Sequence, residues 1–100
     1  MLTPRYTSLF KKDYKRTQKR GYNMGKLRHV IDLLLNERPL PETYNDHPLR
    51  GQYIGSRDCH IEPDWILIYT VNGKELILYR TGSQPTCSNE FLRYKTFVIQ

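Results

Sequence analysis

One hundred residues, 38% hydrophobic and 26% charged, fit a single domain with one modest core. No apolar run approaches the roughly 20 residues of a bilayer-spanning helix. VIDLLL carries Asp32, and the opening MLTPRYTSLFKKDYK lacks the apolar segment of a secretory signal, so a cytoplasmic protein without a membrane partner is expected. The net charge of +6 is uneven: residues 1–39 hold ten Lys/Arg against three Asp/Glu, and residues 40–100 hold six against seven. So segregated a positive field suits a polyanion, nucleic acid or an acidic protein segment.

In chain order, residues 2–6 read as a short strand that Pro4 confines to an edge. Thr7 or Ser8 caps a helix to Arg20, ended by Gly21. Lys11, Lys12, Lys15, Arg16, Lys19 and Arg20 surround its narrow apolar side, which includes Phe10 and Tyr14. Asn23 caps a second helix to about Asn36, with Leu27, Val30, Ile31, Leu34 and Leu35 on one stripe. Pro39 and Pro41 stop the helical pattern, and residues 42–51 read as an ordered loop. Gly51 and Gly55 bracket the start of a strand running through Arg57 to about Ile61. Trp65 to Val71 is apolar enough for an interior strand covered on both faces.

Asn72-Gly73 predicts a two-residue hairpin turn into a returning strand from Lys74 to Arg80. That turn sets Val71 opposite Lys74 and Trp65 opposite Arg80, with Trp65, Leu67, Tyr69, Leu76, Leu78 and Arg80 on one side. Asp64 starts on the other side. The expected fold class is α+β, an N-terminal helical hairpin packed on a small, mostly antiparallel sheet.

His47, Arg57, His60, Asp64, Trp65 and Arg80 lie in the middle of this domain. Metal-free RNA cleavage by the 2′-hydroxyl needs a base, an acid and a cation at the phosphoryl oxygens. Histidine suits either proton transfer and arginine suits the oxyanion. A plainer reading stands beside each: His47 a loop histidine held by Asp46, His60 a satisfied sheet histidine, Asp64 a strand cap. Trp65 is first a core residue, although a ring at a strand end also stacks on a base. Arg57 and Arg80 pair equally well with Asp58, Glu62 or Asp64. His29 reads as an exposed helix residue. His47, His60 and Asp64 are acceptable zinc ligands, but no ligand-type spacing supports a metal, and no cofactor is expected. Cys59 and Cys87 lack CxxC spacing and read as free thiols.

DHPLRG at Asp46 to Gly51, RDCHIEPDWILIY at Arg57 to Tyr69 and RTGS at Arg80 to Ser83 resemble the YafQ group of bacterial type II toxins, within the RelE/ParE superfamily. The resemblance covers about residues 1–83 and implies a RelE-like ribonuclease fold. It also implies a ribosome-dependent mRNA endonuclease that acts in the A site, neutralised by a DinJ-type antitoxin. By motif, His47, His60 and Asp64 match the family's proton-transfer residues and Arg80 its phosphate-side cation. Arg57, Trp65 and the basic first helix would then hold RNA.

The family normally follows RTGS with a histidine and, near the end, Leu-Phe. This chain has Gln84 in the histidine's place and Ser88 in the phenylalanine's. Glutamine cannot shuttle a proton near neutral pH. The codons CAC GCC AAC CTG TTC encode a family-like His-Ala-Asn-Leu-Phe. Loss of the last C of CAC gives CAG CCA ACC TGT TC, which reads Gln-Pro-Thr-Cys-Ser, as at 84–88. Residues 84–100 are therefore expected to be an out-of-frame tail behind a toxin domain of 1–83, with weakened catalysis. The alternatives are a non-catalytic module that binds RNA, ribosome or antitoxin, and a ParE-like relative acting on another target.

Overall fold

In the computed structural model, residues 1–49 and 55–83 are described. Expectations for residues 84–100, Gly51 and Cys87 lie outside the described residues. The order of elements is β1 (Thr3–Tyr6), α1 (Ser8–Lys19), α2 (Met24–Leu35), a 3-10 turn (Glu42–Tyr44), β2 (His47–Pro48), β3 (Arg57–Glu62), β4 (Trp65–Asn72) and β5 (Glu75–Ser83).

Local chemistry sets the helix ends. The Thr7 hydroxyl accepts from the Phe10 N–H at 3.0 Å, and the Asn23 side chain accepts from the Gly25 N–H at 3.1 Å. Each satisfies a backbone donor that the first turn leaves over. Gly21 lies at φ +81°, a left-handed conformation in which a side chain is strained, and reverses the chain between the helices.

Among the described residues the strands form one sheet in the order β1-β5-β4-β3-β2. β1 runs parallel to β5 at one edge, where Pro4 is expected; the other pairs are antiparallel. Leu27, Val30, Phe10 and Leu2 cover the face formed by Trp65, Leu67, Tyr69, Leu76 and Leu78. The opposite face of β4 carries Ile66 and Ile68, also buried, packed with Leu49 and Tyr79. β4 is thus covered on both sides from Trp65 to Tyr69, as its apolar run requires.

The hairpin register differs from the expected one. Asn72 pairs with Glu75 and Val71 with Leu76, so the turn residues are Gly73 and Lys74. Gly73 takes φ +62° as the first turn residue, which leaves Asn72 in the ladder. The shift is two residues, so each side chain keeps its face. Farther along, Tyr69 pairs with Leu78 but Ile68 pairs with Arg80, which makes Tyr79 an extra residue. Such a bulge re-aims its neighbours. Trp65 therefore lies opposite Ser83 rather than Arg80.

The bulge serves an ion pair that joins α1 to β5. Asp13, 1% exposed, accepts from Arg80 Nε at 2.9 Å and Nη2 at 3.1 Å, from the Thr81 N–H at 3.2 Å and from Arg16 Nη2 at 2.6 Å. Removing one partner of a buried pair leaves an uncompensated charge and costs about 3–5 kcal/mol. Asp13→Ala is expected to lower the melting temperature by roughly 10 °C or more, since 1 kcal/mol moves a domain of this size by about 4–8 °C. Lys12→Ala, a surface control, should stay within about 0.5 kcal/mol of the parent. Equal melting curves for the two variants, read by circular dichroism, would mean that Asp13 does not fasten α1 to β5.

Candidate functional site

The helices occupy one face of the sheet, so polar side chains on the other face of β3 face outward. Cys59 and Ile61 point into the core, and their neighbours Asp58 and His60 share the opposite side. Asn45 takes φ 47°, ψ 47°, a left-handed conformation that asparagine tolerates. It turns the chain out of the 3-10 segment into β2, which sets His47 opposite Asp58. The His47 and His60 rings thus come within 6.3 Å, centre to centre.

Each ring is oriented by a carbonyl. His47 Nδ1 lies 2.8 Å from the Asn45 oxygen and His60 Nδ1 lies 3.4 Å from the Pro63 oxygen. A carbonyl only accepts, so this geometry assigns the proton to Nδ1 and leaves Nε2 as the proton acceptor of each neutral ring. His47 Nε2 lies 3.6 Å from Asp58 Oδ2. The other Asp58 oxygen is buried without a hydrogen-bond partner among the described residues. Burial pushes the Asp58 carboxyl above its ordinary range, and His47 and His60 pull it partly back.

Asp46 does not hold His47. It accepts from Arg57 Nε at 2.7 Å and from the Tyr69 hydroxyl at 2.6 Å. The bond from Asp46 raises the Arg57 pKa further, so this exposed guanidinium is permanently charged, on the side of β3 away from His60. Burial, with Asp46, pushes the Tyr69 hydroxyl well above the usual range, so it acts as a donor.

The structure brings His47 and His60 together but separates them from other expected members. Asp64 is exposed on the β3–β4 turn, in a hollow with Tyr22, Asn23 and Trp65; His60 lines a different hollow. Glu62, bound to Lys26 Nζ at 2.7 Å, borders both. Arg80 is 6% exposed and engaged by Asp13 on the helix side. Trp65 is 1% exposed, edge-on to Tyr22 and donating to the Thr81 hydroxyl at 2.9 Å, so the expected stacking of this ring on a base is not supported. Of the basic helix, Lys11, Lys12, Lys15, Lys19 and Arg20 are exposed, while half-buried Arg16 is drawn in by Asp13. Gln84 lies outside the described residues. Among those described, no three His, Cys, Asp or Glu side chains are grouped to hold a metal ion. No described helix is long and apolar enough to cross a membrane. Cys59 is a buried free thiol.

Sequence reasoning missed Asp58 and Asp13 as working groups. Asp58 had a signal: it alternates with His60 across the apolar Cys59, which puts both on one face. Asp13 had one as well, lying three residues from Phe10 and four from Thr17 on the buried side of α1.

The family model for the bacterial toxin of type II toxin–antitoxin systems, YafQ, matches residues 2–86. The chain is 49% identical over 79 residues to the mRNA interferase toxin YafQ of Escherichia coli K12, covering 78% of this chain and 86% of that protein. A crystal structure of an E. coli YafQ histidine-to-glutamine mutant superposes with a TM-score of 0.81 at 45% identity, covering 87% of this chain and 98% of that one. YafQ in the E. coli DinJ–YafQ complex superposes with a TM-score of 0.80 at 45% identity, covering 86% and 97%. These matches run across the helical hairpin, the sheet and the two histidines alike, and the chain belongs to the YafQ family of bacterial toxins from type II toxin–antitoxin systems.

Proposed function

We propose that the chain is an mRNA endonuclease of the toxin type, acting on ribosome-bound message and restrained by a DinJ-like antitoxin. The observation that carries the chemistry is the His47–His60 pair, 6.3 Å apart, each ring held at Nδ1 by a carbonyl, with Nε2 of His47 toward Asp58 Oδ2 at 3.6 Å. In the reaction, a base takes the proton from a ribose 2′-hydroxyl and the 2′-oxygen bonds to phosphorus. The bond from phosphorus to the 5′-oxygen breaks, and an acid returns a proton to that oxygen. The products are a 2′,3′-cyclic phosphate and a 5′-hydroxyl.

Either imidazole suits the first proton transfer, and Asp58 stabilises the imidazolium formed beside it. Arg57 alternates onto the side of β3 away from Asp58 and His60, and its exposed guanidinium contacts RNA outside the histidine pair. Arg80 acts through its buried pair with Asp13, fixing the strand end that carries RTGS, and Asp64 contacts RNA from the neighbouring turn. The exposed lysines of α1 hold the RNA backbone through a salt-sensitive contact. The K12 relative's name as an mRNA interferase supports the activity, and the DinJ–YafQ complex supports the partner.

Gln84 weakens the chain on this reading, because it occupies the place where the family has a proton-transferring histidine. A relative carrying a histidine-to-glutamine change keeps this fold, so such a replacement is compatible with a folded toxin. The out-of-frame tail from residue 84 accounts for both departures, and sequencing the encoding DNA for the latent frame tests it.

Gln84→His with Ser88→Phe, ending there, is expected to arrest growth where the parent does not, and to yield ribosome-dependent cuts by primer extension. Adding His60→Ala should reduce those cuts by about 10²–10⁴-fold. Undiminished cutting would dismiss His60. A second expectation concerns pH. The Asp58 carboxyl has a raised folded-state pKa, so the neutral form favours folding and stability falls as pH rises through that pKa. Asp58→Asn removes this dependence, so its melting temperature should gain on the parent as pH rises above about 4. A gap that stays constant or closes would show that burial does not disfavour the Asp58 charge.

A further inference from the structure

We propose that the hollow beside His60 is the seat of a nucleobase, taking the nucleoside that flanks the cleavable phosphate on the His60 side; this rests on the RNA-cleaving function proposed for the histidine pair. The hollow has a volume of about 450 Å³, within the range of about 300–1,000 Å³ usual for small-molecule sites. Its walls are the 3-10 turn, through Thr43, Tyr44 and Asn45, and the end of β3, through His60, Glu62 and Pro63. A phosphate placed at the two imidazoles has its adjoining nucleoside within one covalent unit, and this concavity begins at His60.

The lining has the chemistry of base recognition. Tyr44, half-buried against the core, supplies an aromatic wall fixed in place. Thr43 and Asn45, both exposed, supply a hydroxyl and a carboxamide, a set able to meet donors and acceptors on a base edge. Glu62, paired with Lys26, borders the hollow and offers it a carboxylate.

One residue joins the two functions. Asn45 gives its backbone oxygen to His47 Nδ1 and also lines the hollow, so the turn that orients the proton acceptor borders the base seat. Its left-handed backbone, φ 47°, accepts Asp or Gly in place of Asn, which makes the side chain separable from the turn.

The test is an isotope-labelled titration of the chain as it stands with the 3′-monophosphates of adenosine, guanosine, cytidine and uridine, and with inorganic phosphate alone. The nucleotides should move the amide signals of Thr43, Tyr44 and Asn45, and inorganic phosphate should leave these three in place. Asn45→Asp, which exchanges a donor for an acceptor, should shift the relative affinities for the four bases by roughly fivefold or more. Asn45→Gly should flatten them. Nucleotide shifts confined to the α1 lysines, or reproduced at residues 43–45 by phosphate alone, would overturn the assignment. Base-dependent shifts here, in a protein whose repaired form never cuts RNA, would retain the subsite and discard the endonuclease. Cutting without such shifts would do the reverse.

Discussion

The carboxylate of Asp13 is the fastening on which the arrangement depends. It sits inside α1, yet its donors come from Arg80 and Thr81 on β5 and from Arg16 on its own helix. Without it, a basic helix would lie over a strand carrying a buried guanidinium, with like charges facing one another. With it, the cation on β5 is neutralised from the helix side, and the remaining lysines of α1 keep their charge for the solvent. The same contact explains the bulge at Tyr79, which lets Arg80 and Thr81 reach one carboxylate.

Because α1 and α2 cover a single face, the histidine pair stands on the other. β3 shows the division residue by residue: Cys59 and Ile61 inward, Asp58 and His60 outward. β2 has only His47 and Pro48 in its ladder, but that short pairing suffices to fix His47 opposite Asp58. The carbonyls of Asn45 and Pro63 then set which nitrogen of each ring carries the proton. The histidine pair is thus built from a pairing, a turn and an alternation.

Helix limits, caps, the edge strand and the two-sided burial of β4 were legible because each rests on short-range rules. Thr7 and Asn23 cap where such residues should, and Leu27, Val30 and Leu34 are buried as their spacing demands. The hairpin register was less legible, since Asn72-Gly73 and Gly73-Lys74 both place a glycine in a two-residue turn; the faces survived because the two registers differ by an even number. His47 and His60 were legible as chemistry but not as neighbours, since a 13-residue separation closes only through β2. The position of Asp64 was not legible: Pro63 ends β3, but the sequence does not say to which side the next turn presents a carboxylate. Trp65 was read both ways, and its burial follows from Tyr22 and Thr81, neither of them near it in sequence.

Two carboxylates in one small domain, Asp13 buried and Asp58 half-buried, obey opposite rules. Asp13 receives hydrogen bonds from two arginines and a backbone N–H, and nothing about it is left unsatisfied in charge or geometry. Asp58 is withdrawn from water with one oxygen unpartnered among the described residues and a carboxyl driven upward by burial. A stable core gains nothing from the second arrangement, which costs about 1–3 kcal/mol for an unmet polar group. The deficit is tolerable because Asp13 and the apolar face, to which β3 itself gives Cys59 and Ile61, hold the sheet. On the proposed function the other Asp58 oxygen has a use, since an imidazolium formed at His47 lies 3.6 Å from Asp58 Oδ2.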